Sequence, residues 1–493
     1  MKLERSTYQK PLSMTGFGGG ATSLNFAGAG GGDHYFFSFY NTENAFQYPH
    51  AMDTTIDSSG NLYMCGGLAT LGNSFVAKFD SKGVFQWGRK YEAHVIRFTG
   101  VKVDTSGNVY VAGYTGNAPS GSSYGNRFIL FKYNSSGVIQ WERELGDTNS
   151  SNNNECFCLE IDNSNNLYLG GWIESNSIGW SKSYLIAKYN SSGGLQNQQA
   201  VRFSNYIDTV HAIAYSSSIG GFWAVGLSYQ ISNLGYNTGY MNIARFNSSG
   251  TYYGTSKFLG HYNGIGNATY RDFDATMNGS DLYTCCSTSG NAIISKYNSS
   301  GTEQWCRFIY DGSTSLYPRG ITTDSSGNVF VAGYIQDSSN FDVFIFKFNS
   351  SGVLQWQRKF TDQGGSYVDT VNGPCIQCDN LGNFYLVLTT ATPSSGGSPR
   401  HMAVLKLPDD GSLTGTYSLT HSGSSAGSYT YSATSFTDDP RSNHPNLIES
   451  TTSHNAGTTN AGQTNSVFNL NNLYGGDTAY TPSGGFSDFT YLS

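Results

Sequence analysis

Residues 319 to 360 read RGITTDSSGNVFVAGYIQDSSNFDVFIFKFNSSGVLQWQRKF, and this stretch decides the fold. Two apolar runs rich in β-branched and aromatic residues, Val329–Ala332 and Val343–Phe348, have the length and composition of strands. The turn sequences Asp324-Ser-Ser-Gly327 and Asn349-Ser-Ser-Gly352 each supply the Asx residue and the glycine that tight hairpins favour. With one further strand on each flank, the stretch predicts a meander of four short antiparallel strands.

Degenerate copies of this stretch fill the chain from about residue 35 to about residue 420. The first hairpin recurs at Asp57, Asp104, Asp162, Asp324 and Asp379, with weaker counterparts at residues 216–221 and 278–281. A cation of the third strand recurs at Lys78, Lys132, Lys188, Arg245, Lys296, Lys347 and Lys406. A single four-stranded sheet cannot bury both its faces, so the copies must pack on one another, and a closed ring of them is a β-propeller. The copies predict an all-β, seven-bladed β-propeller, with eight blades as the alternative.

The strand-like segment Tyr35–Tyr40 precedes the first full copy and resembles a fourth strand. We expect it to complete the last blade and so to cover a sheet edge, with Thr416–Thr420 as the alternative closing strand. The predicted organisation is a Gly-rich N-terminal anchoring arm (1–34), the propeller (35–420) and a Ser/Thr/Gly-rich C-terminal extension (421–493).

Four tryptophans follow the recurring cation by nine residues, and these are Trp87, Trp141, Trp305 and Trp356. Residues repeated in every copy belong to the architecture, so we predict a structural role in which the cation covers the indole and makes a cation–π contact. The repeated Asn-Ser-Ser-Gly runs match the glycosylation pattern, but the same residues form turns, and turns are expected.

The composition limits the classes of function. Charged residues are only 12% of the chain, and the net charge of −7 comes without a Lys/Arg cluster, so the basic face that nucleic-acid binding needs is missing. The longest apolar runs have strand length, which predicts no membrane insertion. Residues 1–32 show no apolar core typical of an export signal, so we expect synthesis in a host cytoplasm and release by lysis.

The residue types that carry chemistry form no recognisable motif. The eight cysteines are expected to be small buried hydrophobes, and Cys375-x-x-Cys378 lacks a second pair at zinc-finger spacing. The hairpin aspartates lack the distal Glu of a calcium loop, and none of the nine histidines lies in a nucleophile or zinc motif. The sequence therefore predicts no metal, no cofactor and no enzymatic activity. A polysaccharide-active enzyme remains an alternative, because a ring fold can bring distant carboxylates together.

Aromatic residues that occur only once lie in the longer predicted loops, amid Ser, Asn and Gly. Flat rings beside hydroxyls and amides suit a sugar, so these residues are candidates for ligand binding. They are Tyr124, Trp180, Tyr229, Tyr236 and Tyr262.

The two terminal regions have no repeat and no predicted core, yet they carry apolar side chains. Ordering such segments costs about 1–2 kcal/mol per residue in backbone entropy, which contacts with a partner must offset. We therefore predict that the termini attach the propeller to other subunits through apolar anchors. The candidate anchors are Leu24, Phe26, Phe468, Leu470, Phe486 and Tyr491.

The runs DSSGNVFVAGY (324–334) and FIFKFNSSGVLQW (344–356) resemble the β-propeller repeats of bacterial surface proteins and of virion structural proteins of tailed bacteriophages, marine ones especially. The resemblance extends over residues 35–420. It implies a non-enzymatic virion structural protein, present in multiple copies on the particle exterior as a tail fibre, appendage or capsid decoration. The implied partners are other virion proteins and host surface glycan. The alternative is a secreted or cell-surface bacterial propeller that binds carbohydrate or protein.

Overall fold

The first strand of the chain, β1 (Tyr35–Phe39), follows a leader that lies outside the described residues. A computed structural model describes residues 34–39, 50–67, 74–91, 96–115, 126–146, 153–174, 182–204, 207–229, 239–261, 273–288, 290–337, 340–362, 371–391, 400–419, 427–440, 447–450, 457–460, 464–466, 477–479 and 490–491. Residues 1–30 are a separate unit, and all the elements below belong to the unit of residues 31–493.

Residues 50–202 form three consecutive antiparallel meanders of four strands. Meander 1 consists of β2 (His50–Ile56), β3 (Leu62–Gly67), β4 (Ser74–Phe79) and β5 (Phe85–Tyr91). Meander 2 consists of β6 (Ile96–Val103), β7 (Val109–Thr115), β8 (Phe128–Tyr133) and β9 (Ile139–Gly146). Meander 3 consists of β10 (Asn154–Ile161), β11 (Leu167–Glu174), β12 (Lys182–Tyr189) and β13 (Leu195–Arg202).

The same pattern continues to residue 408. Meander 4 consists of β14 (Ile207–Ser216), β15 (Gly221–Tyr229), β16 (Gly239–Asn247) and β17 (Tyr252–His261). Meander 5 consists of β18 (Phe273–Asn278), β19 (Asp281–Thr288), β20 (Asn291–Tyr297) and β21 (Glu303–Tyr310). Meander 6 consists of β22 (Ser315–Thr323), β23 (Val329–Asp337), β24 (Asn340–Phe348) and β25 (Leu354–Asp362).

Meander 7 combines the two ends of the repeat region. It consists of β26 (Ile376–Cys378), β27 (Asn383–Ala391), β28 (Arg400–Pro408) and, as its fourth strand, β1. The predicted pairing of the N-terminal strand with the last copy is therefore confirmed, with Tyr35 opposite Lys406. In the described part of the chain the helical structure is a 3-10 turn, Ser217–Ile219, and no helix there is long and apolar enough to cross a membrane.

The first strands of the meanders contact one another in a cycle. β2 contacts β6, β6 contacts β10, β10 contacts β14, β14 contacts β18, β18 contacts β22 and β22 contacts β26, and β2 also contacts β26 and β27. A parallel bridge between Lys182 and Ile207 joins meanders 3 and 4 into one sheet. The core lies between the faces of neighbouring meanders, because a meander buries its apolar face only against the next one. Between meanders 1 and 2, for example, Tyr63 and Val76 pack with Phe98 and Phe131.

The hairpins follow the predicted turn chemistry. In meander 1, Oδ1 of Asp57 accepts hydrogen bonds from the backbone N–H groups of Ser59 (2.9 Å) and Asn61 (3.0 Å), and Gly60 has a φ of +76°. The first hairpins at Asp104, Asp162, Asp324 and Asp379 repeat this pattern. The Asn side chain accepts the same two bonds in the turns at Asn134, Asn190, Asn247, Asn298 and Asn349. The prediction that these Asn-Ser-Ser-Gly runs are turns is confirmed.

The recurring tryptophans join neighbouring meanders. Each indole Nε1 donates a hydrogen bond to a backbone carbonyl in a turn of the next meander: Trp87 to Ser135 (3.0 Å), Trp141 to Ser191 (3.3 Å), Trp305 to Ser350 (3.1 Å) and Trp356 to Asp409 (3.1 Å). The indole of Trp87 also fills the space beside Gly137, where a Cβ atom would lie 2.6 Å from the ring. These contacts agree with a structural role for the tryptophans.

The recurring cation has a different ring partner from the one that the sequence predicted. Lys78 lies over the ring of Tyr63, in the second strand, with Nζ 5.2 Å from the centroid. The corresponding contacts in the other meanders span 4.9–5.8 Å and pair Lys132 with Tyr110, Lys188 with Tyr168, Arg245 with Trp223, Lys296 with Tyr283, Lys347 with Phe330 and Lys406 with Tyr385. The third strand lies between the second and the fourth, so a side chain there can turn either way. The second-strand rings are the more deeply buried, and the cation lies over them in every meander. In meander 4, Arg245 also lies over Tyr253 of the fourth strand, 5.1 Å from the ring centroid.

The C-terminal residues form short strands that sequence analysis did not predict. After β29 (Gly415–Leu419) come β30 (Gly427–Ala433), β31 (Thr437–Pro440), β32 (Leu447–Ser450), β33 (Gly457–Asn460), β34 (Thr464–Ser466), β35 (Asp477–Ala479) and β36 (Thr490–Tyr491). We call β30–β36 the belt. Each belt strand adds to the outer edge of one meander, in the order 6, 5, 4, 3, 2, 1 and 7. β29 pairs with β30, so it is not the strand that closes meander 7.

Candidate functional site

A cavity of about 270 Å³ lies where the first strands of the meanders meet, and we call it the central cavity. Residues of β2, β6, β10, β14, β18 and β22 line the cavity. Gln377 in β26 and Pro374, two residues before β26, complete the lining. A cavity into which polar side chains from several strands converge is a frequent place for ligands. The central cavity is therefore the candidate functional site.

Bulges in the first strands aim individual side chains toward the cavity. The register with the second strand shifts at Thr99 in β6, at Phe157 in β10 and at His211 in β14, and all three residues line the central cavity. A bulge places two residues of one strand opposite one residue of the other and bends the strand, so the inserted residue is turned out of the ordinary alternation. The imidazole of His211 stacks on Phe157, with centroids 5.0 Å apart, and its Nε2 lies 2.9 Å from Thr209 Oγ1.

Four charged side chains also line the central cavity: Asp53, Lys102, Glu160 and Asp274. Lys102 Nζ and Glu160 Oε2 are 3.3 Å apart and link meanders 2 and 3. Burial opposes the charge of Lys102, but the attraction of Glu160 and of Asp53 outweighs it, so the pKa of Lys102 is raised above its usual value. The ammonium group of Lys102 therefore attracts the carboxylates of both Glu160 and Asp53.

Asp53 and Asp274 occupy the same position in meanders 1 and 5, and each reaches the backbone of the next meander. Asp53 Oδ2 accepts a hydrogen bond from Val101 N, and Asp274 Oδ2 accepts one from Ile321 N, both at 2.8 Å. The residues before these two donors are Gly100 and Gly320. The two carboxyls therefore bind adjacent meanders together at the wall of the cavity.

Both carboxyls titrate close to neutral pH. Burial raises the pKa of Asp53 to about 7, although Lys102 and the backbone N–H of Val101 lower it in part. Burial likewise raises the pKa of Asp274 to about 7, against the backbone bonds from Ile321. A carboxyl half-protonated near pH 7 can both give and take a proton, which is the property that general acid–base groups and proton-linked binding sites share. The central cavity can therefore exchange protons near neutral pH.

Two of the residues that the sequence selected are described by the structure, Tyr229 and Tyr491, and neither is among the residues that line this cavity. Of the candidate ligand-binding residues, Tyr229 ends β15 and is half-buried, whereas Tyr124, Trp180, Tyr236 and Tyr262 lie outside the described residues. Of the candidate anchors, Tyr491 lies in β36, whose backbone pairs with Tyr35. Leu24, Phe26, Phe468, Leu470 and Phe486 lie outside the described residues.

A sequence signal for the central cavity exists but was missed. Asp53 lies four residues before the hairpin Asp57, a position held by Gly100, Cys158, Gly320 and Cys375 in other copies. Lys102 and Glu160 stand two residues before their hairpin aspartates. A charge that occurs once or twice at a repeat position departs from the architecture, and such departures mark sites on a ring.

The carboxylates and thiols elsewhere are used by the fold. Both oxygens of Asp57 accept hydrogen bonds within the hairpin, including one from Asn61 Nδ2 at 2.7 Å. The eight cysteines are free, and all but Cys378 are buried, as predicted. Burial raises the pKa of each of the thiols at Cys65, Cys156, Cys158, Cys375 and Cys378. The described residues contain no group of three or more His, Cys, Asp or Glu side chains arranged to hold a metal ion.

Comparison with known proteins supports the repeat. A family described as a β-propeller repeat matches residues 304–342, which run from the end of meander 5 into meander 6. The match supports a β-propeller-repeat protein and covers a small part of the chain. A search of curated proteins found no match.

Solved structures with similar folds come from several kinds of protein. Hydrazine synthase of Kuenenia stuttgartiensis is 10% identical, with a TM-score of 0.39, over 62% of this chain and 78% of that one. A protein of unknown function from Dyadobacter fermentans is 9% identical, with a TM-score of 0.37, over 76% of this chain and 98% of that one. An apocarotenoid oxygenase mutant of Synechocystis is 10% identical, with a TM-score of 0.31, over 75% of this chain and 94% of that one.

The prediction that the chain is not an enzyme is wrong, because it excluded catalysis on the lack of a recognisable motif. Two of these similar structures are enzymes, so the lack of a recognisable catalytic motif in an all-β fold of this kind does not rule out catalysis. Similarity at 9–10% identity concerns the fold alone and assigns this chain no reaction.

Proposed function

We propose that this chain is a structural protein of a bacteriophage particle, displayed in multiple copies on the particle exterior as a tail fibre, an appendage or a capsid decoration. In this proposal the seven meanders are the blades of a seven-bladed β-propeller, and the leader of residues 1–33 attaches the propeller to other virion proteins. The cycle of contacts among the first strands supports the ring, and the repeat match supports its propeller character.

The observation that carries the proposal is the belt. The exposed edge of a sheet offers unpaired N–H and C=O groups that pair readily with a neighbouring chain. Proteins displayed side by side on a particle meet their own copies at high local concentration, where such pairing is most damaging. Each belt strand pairs with the outermost strand of a meander, from β25 in meander 6 to β1 in meander 7. The chain thereby covers its own edges.

The belt also changes the role expected of the C-terminal extension. The extension was predicted to contact partner subunits, but its described strands pair with the meanders of the same chain. The proposed attachment therefore rests on the leader, which joins the propeller at His34. Host surface glycan remains the proposed ligand, with Tyr229 as the candidate contact that the structure describes.

Labelling of particles tests the proposal. Antibodies raised against the expressed chain, coupled to gold, are applied to virus particles and to host cells from an infected culture. The proposal expects gold at regular positions on the particle exterior. Label confined to the host cell surface or to particle-free medium would reject the virion role and favour the alternative of a bacterial surface or secreted propeller.

A second experiment tests the attachment. A chain that lacks residues 1–33 keeps β1 and the belt, so it should fold as the full chain does. Offered to particles that lack the protein, it should fail to incorporate, whereas the full chain should incorporate. Equal incorporation of the two chains would show that the leader is not the attachment.

A further inference from the structure

The strand that follows the leader is held on both sides. β1 pairs along its whole length with β28, from Tyr35 opposite Lys406 to Phe39 opposite Met402. On its other side, Tyr35 pairs with Tyr491 and Phe36 with Thr490 of β36. Without β36, β1 would be an edge strand with one row of backbone bonds. With it, β1 is an interior strand.

The second row of bonds covers the end of β1 that the leader joins. A strand peeled from its N-terminal end breaks its first bonds at Tyr35 and Phe36, and these are the residues that β36 pairs with. Two further contacts hold the same end. His34 Nε2 lies 2.8 Å from Oδ1 of Asn383, in the first hairpin of meander 7, and the Tyr35 side chain is 1% exposed within the core shared by meanders 6, 7 and 1.

We propose that β36 is a latch on β1, which keeps the ring closed at the point where the leader applies a load. The idea that the load enters through residues 1–33 rests on the proposed function, but the latch itself does not. Peeling of β1 would remove the fourth strand of meander 7 and open the cycle of meanders there. The latch makes the first step of peeling depend on bonds to two strands rather than one.

The belt also supplies a matched control, because β35 makes a similarly short pairing far from β1. Asp477 pairs with Tyr91 and Thr478 with Lys90, at the outer edge of meander 1. Proline has no backbone N–H and breaks a ladder bond wherever that group points at the partner strand. Since alternate residues of an antiparallel strand point at the partner, two adjacent prolines remove at least one such bond. The β36 variant therefore carries Thr490→Pro and Tyr491→Pro. The β35 variant carries Asp477→Pro and Thr478→Pro, and it is an equivalent disruption at the edge of meander 1.

Hydrogen exchange of the full chain and the two double variants tests the latch. Disruption of β36 should speed amide exchange in residues 35–39 by about tenfold, as expected when one or two backbone bonds are lost from a local opening reaction, and leave residues 85–91 unchanged. Disruption of β35 should do the reverse. Unchanged exchange in residues 35–39 of the β36 variant, or equal acceleration by both variants, would overturn the proposal.

Pulling through the leader gives an independent readout. With the protein held by handles at residue 1 and within meander 4, the β36 variant should release β1 at a lower force than the full chain, and the β35 variant should not. Equal release forces would refute the latch. Hydrogen exchange and release force are measured on isolated protein, whereas the proposed function is tested by antibody labelling of particles. If both measurements support the latch but the antibodies do not label particles, the proposed function is refuted and the latch stands.

Discussion

Replacing Asp53 with asparagine should change how the free energy of unfolding depends on pH. In the folded protein the pKa of Asp53 is raised from 3.8 to about 7 by burial. The folded state therefore binds a proton more tightly than the unfolded state. The stability that this proton contributes is complete below about pH 4 and is lost as the pH rises to about 7.

The size of the effect follows from the shift. One pKa unit corresponds to about 1.4 kcal/mol, so the raised pKa of Asp53 lowers the free energy of unfolding by roughly 4 kcal/mol at pH 8 and by under half of that at pH 5. Asparagine is neutral throughout and avoids this loss. It has a cost of its own, because its single oxygen can replace only one of the two acceptors that Thr54 N and Val101 N now use, which costs about 1–3 kcal/mol.

Urea unfolding of the two proteins at pH 5, 6, 7 and 8 measures the difference. The free energy of unfolding of Asp53→Asn, relative to the unchanged chain, should rise by roughly 2–3 kcal/mol between pH 5 and pH 8. Asp410→Asn is the matched control. Hydrogen bonds from the hydroxyl and the backbone N–H of Ser412 lower the pKa of Asp410, so its ionisation is complete in both states above pH 5 and its effect should be constant.

Parallel pH curves for Asp53→Asn and the unchanged chain would refute the reasoning. They would mean that Asp53 is ionised in the fold at pH 5 and that the cavity wall is better solvated than its burial indicates. Asp274→Asn should repeat the Asp53 result, because Asp274 has the same pKa of about 7 and the same bond to the next meander.

Three further predictions concern the architecture. Trp356→Ala should lower the free energy of unfolding by about 2–4 kcal/mol, because the half-buried indole donates a hydrogen bond to the Asp409 carbonyl and packs against the next meander. Urea unfolding measures the change, and an unchanged midpoint would contradict a structural role for Trp356. Gly137→Ala should destabilise the chain more than Gly220→Ala in thermal unfolding, since both have positive φ but only Gly137 lies against an indole; equal losses would count against this packing. A thiol reagent should modify the seven buried cysteines at the rate of unfolding; fast modification of these seven would disprove their burial.

The meanders were predictable because the chemistry that makes them is local. In most of the hairpins, an Asx side chain accepts hydrogen bonds from backbone N–H groups two and four residues later, and a glycine takes the positive φ. Both signals lie within five residues of sequence. Asn165 replaces the glycine in meander 3, and the first hairpins of meanders 4 and 5 are other turns. The pairing of Tyr35–Phe39 with the last copy was also predictable, because a surplus strand at the start of a repeat array has one obvious vacancy.

The central cavity was not predicted, because its residues come together only when the meanders pack on one another. Lys102 and Glu160 are separated by 58 positions and meet only when two meanders pack, and the pKa of Asp53 depends on burial that no local pattern records. The partner of the recurring cation was missed for a related reason. Lys78 has two aromatic neighbours across the sheet, Tyr63 in the second strand and Trp87 in the fourth. The cation lies over Tyr63, which is the more deeply buried of the two rings.

By itself, the sequence determined the strands, their turns and the repeat that makes neighbouring copies pack face to face. The tertiary structure alone decided where the belt strands β30–β36 pair. Belt strands such as Thr464–Ser466 and Thr490–Tyr491 are three and two residues long, which is too short to show a periodic apolar pattern. They are held by backbone hydrogen bonds to edges up to hundreds of residues away, and a backbone bond is the same for almost every amino acid. Pairing of that kind leaves no pattern in the side chains, so it can be seen only once the ring of edges exists.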